Sequence, residues 1–146
     1  MIHTEPRDLI ARWVLSRIRD ETEYEGFFGL PYWTLGFGNA AGAVMGGVVY
    51  HTHRGTTIEA MAAGLPGWLT PERTRAIFEY GFDTLGSQIM VVHAAKPNKR
   101  SRRFIERLGF AQRGCVPRAI RGKDAVIYSM HRDDCRWLRP NDGDVR

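Results

Sequence analysis

The sequence predicts an α/β (α+β) domain built on a mixed, mostly antiparallel sheet flanked by three to four helices. Three observations carry that expectation. An amphipathic helix opens the chain, a strand meander follows it, and a buried strand set between two further helices requires a parallel step before a closing hairpin.

Arg7 to Arg19 repeats apolar residues at Leu9, Ile10, Trp13, Val14 and Ile18, close to the 3.6-residue period of a helix. Asp20 to Gly29 reads as loop. "YWTLGFGN" and "GAVMGGVVYHTH" read as strands joined by "NAAG", where Asn and Gly make positive φ inexpensive, and "TTIEAMAA" as the next strand. Thr70 as N-cap and Pro71 at the first helical position start a second helix, which Gly86 closes after Ile77, Phe78, Phe82 and Leu85. "QIMVVHA" is a continuous apolar run suited to a buried strand, and a helix from about Asn98 to Leu108 follows. "AQRGCVPRAI" and "DAVIYSMHR", linked by "RGKD", form the last hairpin. One domain over residues 1–138 is expected, with a polar tail at 139–146.

Composition narrows the function classes. With 43% hydrophobic and 25% charged residues the 146-residue chain is globular rather than disordered or fibrous. Its longest apolar run, Ala40 to Tyr50, holds three glycines and falls far short of the roughly 20 residues of a membrane helix. The N-terminus lacks the apolar core of a secretory signal, so the cytoplasm is the expected compartment. Cys115 and Cys135 make no C-x-x-C pair and read as idle thiols. A net charge of +5 and a pI near 9.6 favour anionic partners, which include a phosphate-bearing cofactor, an acidic substrate and nucleic acid.

The order of elements resembles that of the GCN5-related N-acetyltransferase superfamily, and "NKRSRRFIERLGF" strengthens the likeness. It resembles the family segment N-x-x-S/A, seven residues, G-F, here Asn98, Ser101, Gly109 and Phe110. "DAVIYSMHRDDCRWL" looks like the end of ribosomal-protein-acetyltransferase-like and phage-encoded members. The resemblance implies a sheet splayed between its fourth and fifth strands, "TTIEAMAA" and "QIMVVHA", with acetyl-CoA in the gap. The pantetheine arm would pair with the backbone of Met61, Ala62 and Ala63, and the pyrophosphate would rest at the start of the Thr70 helix. The family's Gln/Arg-x-x-Gly-x-Gly/Ala loop is replaced here by "GLPGWLTPERTR", in which Trp68, Thr70 and Arg73 remain candidate contacts. Asn98 and Arg102 complete the expected cofactor set.

The implied reaction is transfer of acetyl from acetyl-CoA to a primary amine by direct attack in a ternary complex. Glu59, a carboxylate inside an apolar strand, is the first candidate base, with His51, His53 and His93 as alternatives. Many family members carry a tyrosine acid where Ile105 stands, so Ser101 is the candidate proton donor and Tyr128 the second choice. No metal is expected, because the histidines lack a visible third ligand. The acceptor is a small-molecule or protein amine, and Glu21, Glu23 and Glu25 would suit a cationic one. A nucleic-acid acceptor held by Lys96, Lys99, Arg100, Arg102, Arg103 and Arg107 is compatible but less favoured, and a homodimer is kept open. Two rivals remain: a CoA-binding domain without chemistry, and a non-catalytic nucleic-acid-binding domain.

Overall fold

The computed structural model describes residues 1–18 and 31–138. Helix α1 (Arg7–Ile18) is followed by strands β2 (Tyr32–Gly38), β3 (Val44–His51) and β4 (Thr57–Gly64), then α2 (Pro71–Glu79), β5 (Ile89–Ala95), α3 (Lys99–Leu108), β6 (Ala111–Ile120) and β7 (Lys123–His131). A two-residue strand β1 (Ile2–His3), which carries no period of its own, pairs with Phe37 and Gly36. The expected acidic loop with Glu21, Glu23 and Glu25, and the tail beyond 138, lie outside the described residues.

The seven strands run in the order β1-β2-β3-β4-β5-β7-β6, antiparallel except for β4 beside β5. The mixed sheet and its single parallel step are those expected. Helix α1 covers one face, where Ala11 and Val14 pack on Tyr32 and Val49 with Met61 and Ala63 at the edge. The Tyr32 hydroxyl donates to Asp8, and the Arg7 guanidinium lies 4.5 Å from the Tyr32 ring, so the helix start is pinned to β2. Helices α2 and α3 cover the other face over Leu35, Phe37, Tyr50, Ile58, Phe78, Phe82 and Phe110. Strand alternation therefore separates two cores, even residues of β4 facing α2 and odd ones facing α1.

Helix α2 begins as its sequence dictates. Thr70 Oγ1 accepts the Arg73 N–H at 3.1 Å, and Pro71 supplies a preset φ. It does not run uniformly to Gly86: Tyr80–Thr84 is a π-helical turn. The buried Gly81 explains the local need for a small residue, since a Cβ there would lie 2.4 Å from Met90 Cε. The Phe78 and Phe82 rings still stack, at 6.2 Å. Gly86 then takes φ +76°, as a chain reversal requires.

Candidate active site

Strands β4 and β5 pair only at Thr57–Ile89, Ile58–Met90 and Glu59–Val91. Beyond Glu59, β4 continues to Gly64 paired with β3 alone, while β5 continues to Ala95 paired with β7. The two strands part, and a cavity of about 150 Å³ fills the wedge. Ala60, Met61 and Ala62 form one wall, Val92, His93 and Ala94 the other, and Ser101 with Asn98 closes it from α3. Ala60 and Ala62 of β4 and Ala94 of β5 are the small side chains on these walls. The β4 edge beyond Glu59 leaves alternate N–H and C=O groups without a strand neighbour on that side.

The expected catalytic and cofactor residues divide into two groups. Met61, Ala62, Trp68, Asn98 and Ser101 line the cavity; Glu59, Ala63, Thr70, Arg73 and Arg102 lie outside its walls. Asn98 is the N-cap of α3 and accepts the Ser101 N–H at 3.1 Å, which orients the first turn on which the Ser101 hydroxyl sits. Trp68, only 8% exposed, lies over Gly46 and Gly64, a directly opposed cross-strand pair. A Cβ on either glycine would come within 2.2 Å of the indole. The glycines are thus a bed for Trp68, which serves the core and the cavity wall together. The signal was in the sequence as glycines at 46 and 64, legible only once their register is known.

Two arginines are tied to the protein rather than directed into the cavity. Arg73 donates to the carbonyls of Trp68 at 2.7 Å and Gly38 at 3.3 Å, with its guanidinium 5.8 Å from the Phe37 ring. It braces the loop that carries Trp68 and Leu69. Arg102 Nε donates to the Tyr128 hydroxyl at 3.0 Å, and its other nitrogens reach Lys96 O and Gln112 Oε1. That contact raises the Arg102 pKa and keeps its charge fixed. Tyr128 itself is fully buried and outside the cavity wall. At the start of α2, Pro71 has no N–H and the Arg73 N–H is taken by Thr70, so fewer amides face outward than at an uncapped helix.

The titratable groups gather on the α1 face. His51 of β3 is directly opposite Glu59 of β4, which is opposite Val91 of β5, and His93 lies two residues further along the same side of β5. Of the three, His93 lines the cavity. Burial lowers the pKa of His93, opposed by the Glu59 carboxylate. Burial likewise lowers that of His51, Glu59 opposing and His93 adding to the depression. Both imidazoles are therefore held toward the neutral, proton-accepting form. His53 is placed elsewhere: its Nε2–H donates to Leu85 O at 2.7 Å and its Nδ1 accepts the Gly55 N–H at 3.0 Å, fastening two loops. Among the described residues no group of three His, Cys, Asp or Glu could hold a metal ion, and no helix is long and apolar enough to cross a membrane.

The fold recurs in solved amine acetyltransferases. A chimera of the spermidine N-acetyltransferase SpeG of Vibrio cholerae with hSSAT superposes with a TM-score of 0.70 at 14% identity, over 91% of this chain and 97% of that one. The Vibrio cholerae spermidine/spermine N-acetyltransferase SpeG in complex with manganese ions gives 0.67 at 13% identity, over 90% and 91% of the two chains. A dodecameric spermidine N-acetyltransferase of the same organism gives 0.68 at 12% identity, over 91% and 94%. No family model matches the chain, and no curated protein matches it in sequence. The likeness is one of fold: the chain shares its architecture with these solved acetyltransferases.

Proposed function

We propose that the protein is an acyltransferase that moves acetyl from acetyl-CoA to a primary amine by direct attack in a ternary complex. One observation carries the reading: β4 and β5 separate after three residue pairs and leave a cavity between an unpaired strand edge and the Asn98–Ser101 helix start. The walls fit a pantetheine arm. They are mostly apolar, and the free edge at Met61 to Ala63 offers the amide-pairing groups such an arm requires. Acetyl-CoA would supply an acyl group already activated as a thioester.

The protein's own residues then divide the work. The β4 edge and Asn98 hold and orient the arm, while Arg73 acts at one remove by bracing the Trp68 loop. Arg102 positions α3 against β7 and β6. The Ser101 hydroxyl stands at the cavity wall as the hydrogen-bond donor to the departing sulfur. His93, facing the cavity, takes the proton of the amine, and Glu59 behind it stabilises the resulting imidazolium. Orientation of amine and thioester contributes much of the rate. The acceptor class that suits a fold shared with spermidine acetyltransferases is a small amine or a protein amine.

Isothermal titration with acetyl-CoA tests the reading, repeated on Asn98→Ala and Ser101→Ala. Binding weakened by Asn98→Ala, with Ser101→Ala lowering turnover more than affinity, is expected. Absence of binding heat in the parent protein would remove the acyltransferase reading.

A further inference from the structure

Charge is divided unevenly along the chain, and the fold turns that division into a surface. Residues 96–131 hold ten basic and two acidic side chains, whereas residues 1–95 hold seven basic and ten acidic. The basic segment is α3 with the β6–β7 hairpin, and these abut: the Lys96 N–H donates to Asp124 O at 2.8 Å, and Arg102 spans from Lys96 O to Gln112 of β6. Lys99, Arg100 and Arg103 are exposed along α3, and Arg118, Arg121 and Lys123 along the hairpin. Lys99, Arg100, Arg103, Arg118 and Lys123 take no part in the ion pairs His131–Asp133 and Arg132–Asp83. Asp124, the hairpin's carboxylate, accepts the backbone N–H of Arg118 at 3.1 Å.

The hairpin backbone adds an independent observation. Arg118 and Arg121 adopt φ of +57° and +47°, in the left-handed region that disfavours side chains other than Gly, Asn and Asp. Arg121 and Gly122 (φ +82°) form a two-residue turn with both φ positive, a turn that selects Asn-Gly or Gly-Gly. An arginine placed there opposes the local preference, and side chains held against such preferences concentrate at functional positions. Nine of the ten β6 residues are exposed, so the strand stands off the core.

We propose that the β6–β7 hairpin and the exposed face of α3 bind a nucleic-acid phosphate backbone. Arginine predominates, and its planar fork pairs with phosphate oxygens in two-point contacts. A two-stranded ribbon is of a size to enter a groove of a duplex. The sequence from Ala111 to Asp124 contains no aromatic residue, so it lacks the rings that anchor a protein partner's hot spot or a membrane interface. The inference goes beyond acyl transfer and does not depend on the cavity.

The test is fluorescence anisotropy with a labelled DNA duplex two helical turns long, across about 50 to 200 mM salt. Affinity should fall linearly with salt on logarithmic axes. Arg118→Glu/Arg121→Glu/Lys123→Glu should weaken it about tenfold or more, and each phosphate contact removed should reduce the slope by about one. Arg121→Asn separates charge from folding, because asparagine suits the turn better: it should keep or raise thermal stability while weakening DNA binding. Arg54→Glu, on an exposed loop away from this surface, should leave binding unchanged. Absence of binding at low salt, indifference to the hairpin charges, or equal capture of polyglutamate would each overturn the proposal. Acetyl-CoA titration of the triple variant keeps the two readings apart, since cofactor binding without DNA binding sinks only this one.

Discussion

His51, buried, and His93, half-buried, make stability depend on acid in a calculable way. In the unfolded chain His51 and His93 titrate near about 6.5; in the fold, burial holds both below that value, with Glu59 offsetting only part of the effect. Protons then bind more readily to the unfolded chain. Stability is complete above the unfolded value and declines as pH falls from there toward the folded values. At pH about 6.5 each unfolded imidazole holds half a proton that the folded one largely lacks, so the pair together contribute a slope of up to about 1.4 kcal/mol per pH unit. Lower down, while both remain neutral in the fold, the limit is two protons, about 2.7 kcal/mol per pH unit.

Other groups titrate in the same range, so the informative quantity is a difference. Urea unfolding between pH about 5.5 and 7.5 gives the slope for the parent protein and for His51→Gln/His93→Gln. The parent should lose stability faster toward acid, by an amount up to those limits, and each single variant should recover a part. Equal slopes in parent and double variant, or a parent that loses stability as pH rises, would refute the burial argument and with it the neutral state required of His93 as a proton acceptor.

Activity should divide in the same way. His93→Gln is expected to lower turnover by about 100-fold or more with little loss of acetyl-CoA affinity, and Glu59→Gln to move the acid limb of the pH–rate profile downward, since it removes the charge that raises His93. Phe78→Ala deletes a fully buried ring stacked on Phe82 and Trp137, and should cost about 3–5 kcal/mol by denaturant unfolding. Gly46→Ala should destabilise by about 1–3 kcal/mol and change near-ultraviolet circular dichroism, because its Cβ would sit 2.1 Å from Trp68 Cε3. In hydrogen exchange, alternate β4 amides between Ala60 and Gly64 should exchange fast and become protected when acetyl-CoA is added; protection already uniform before addition would contradict the open edge.

Much of this architecture is legible in the residues, and the failures have physical causes. The Thr70-Pro71 cap is local chemistry and falls where the sequence places it, and the α3 helix, Lys99–Leu108, lies within a residue of its expected range. Strand β1 is only two residues long, so its position depends on β2 offering an edge rather than on any period in Ile2–His3. The π-helical turn is hidden for a similar reason: apolar spacing from Phe78 to Phe82 looks the same whether the backbone between is regular or widened. At the cavity, Met61 and Ala62 could be placed because the apolar run "TTIEAMAA" already reads as a strand. Arg73 and Arg102 are different: a guanidinium serves a phosphate or a carbonyl equally well, and the sequence does not say that Gly38 O, Trp68 O and Tyr128 Oη will stand within reach.

The separation of β4 from β5 can be understood from side-chain size and competition for edges. Up to Glu59–Val91 the strands share a ladder; past that point β5 pairs along its length with β7, whose inner face supplies Val126, Tyr128 and Met130 to the core. Along this stretch β4 presents the small Ala60 and Ala62 to the cavity, and Trp68, seated over Gly46 and Gly64, lines it as well. Leaving several backbone groups of β4 unpaired costs stability unless water or a ligand takes them. A strand edge kept open at that cost, beside a helix start carrying Asn98 and Ser101 and a cavity-facing His93, is the arrangement an amide-bearing thioester arm requires. The same small residues that leave β4 unpaired there line the cavity proposed for the thioester.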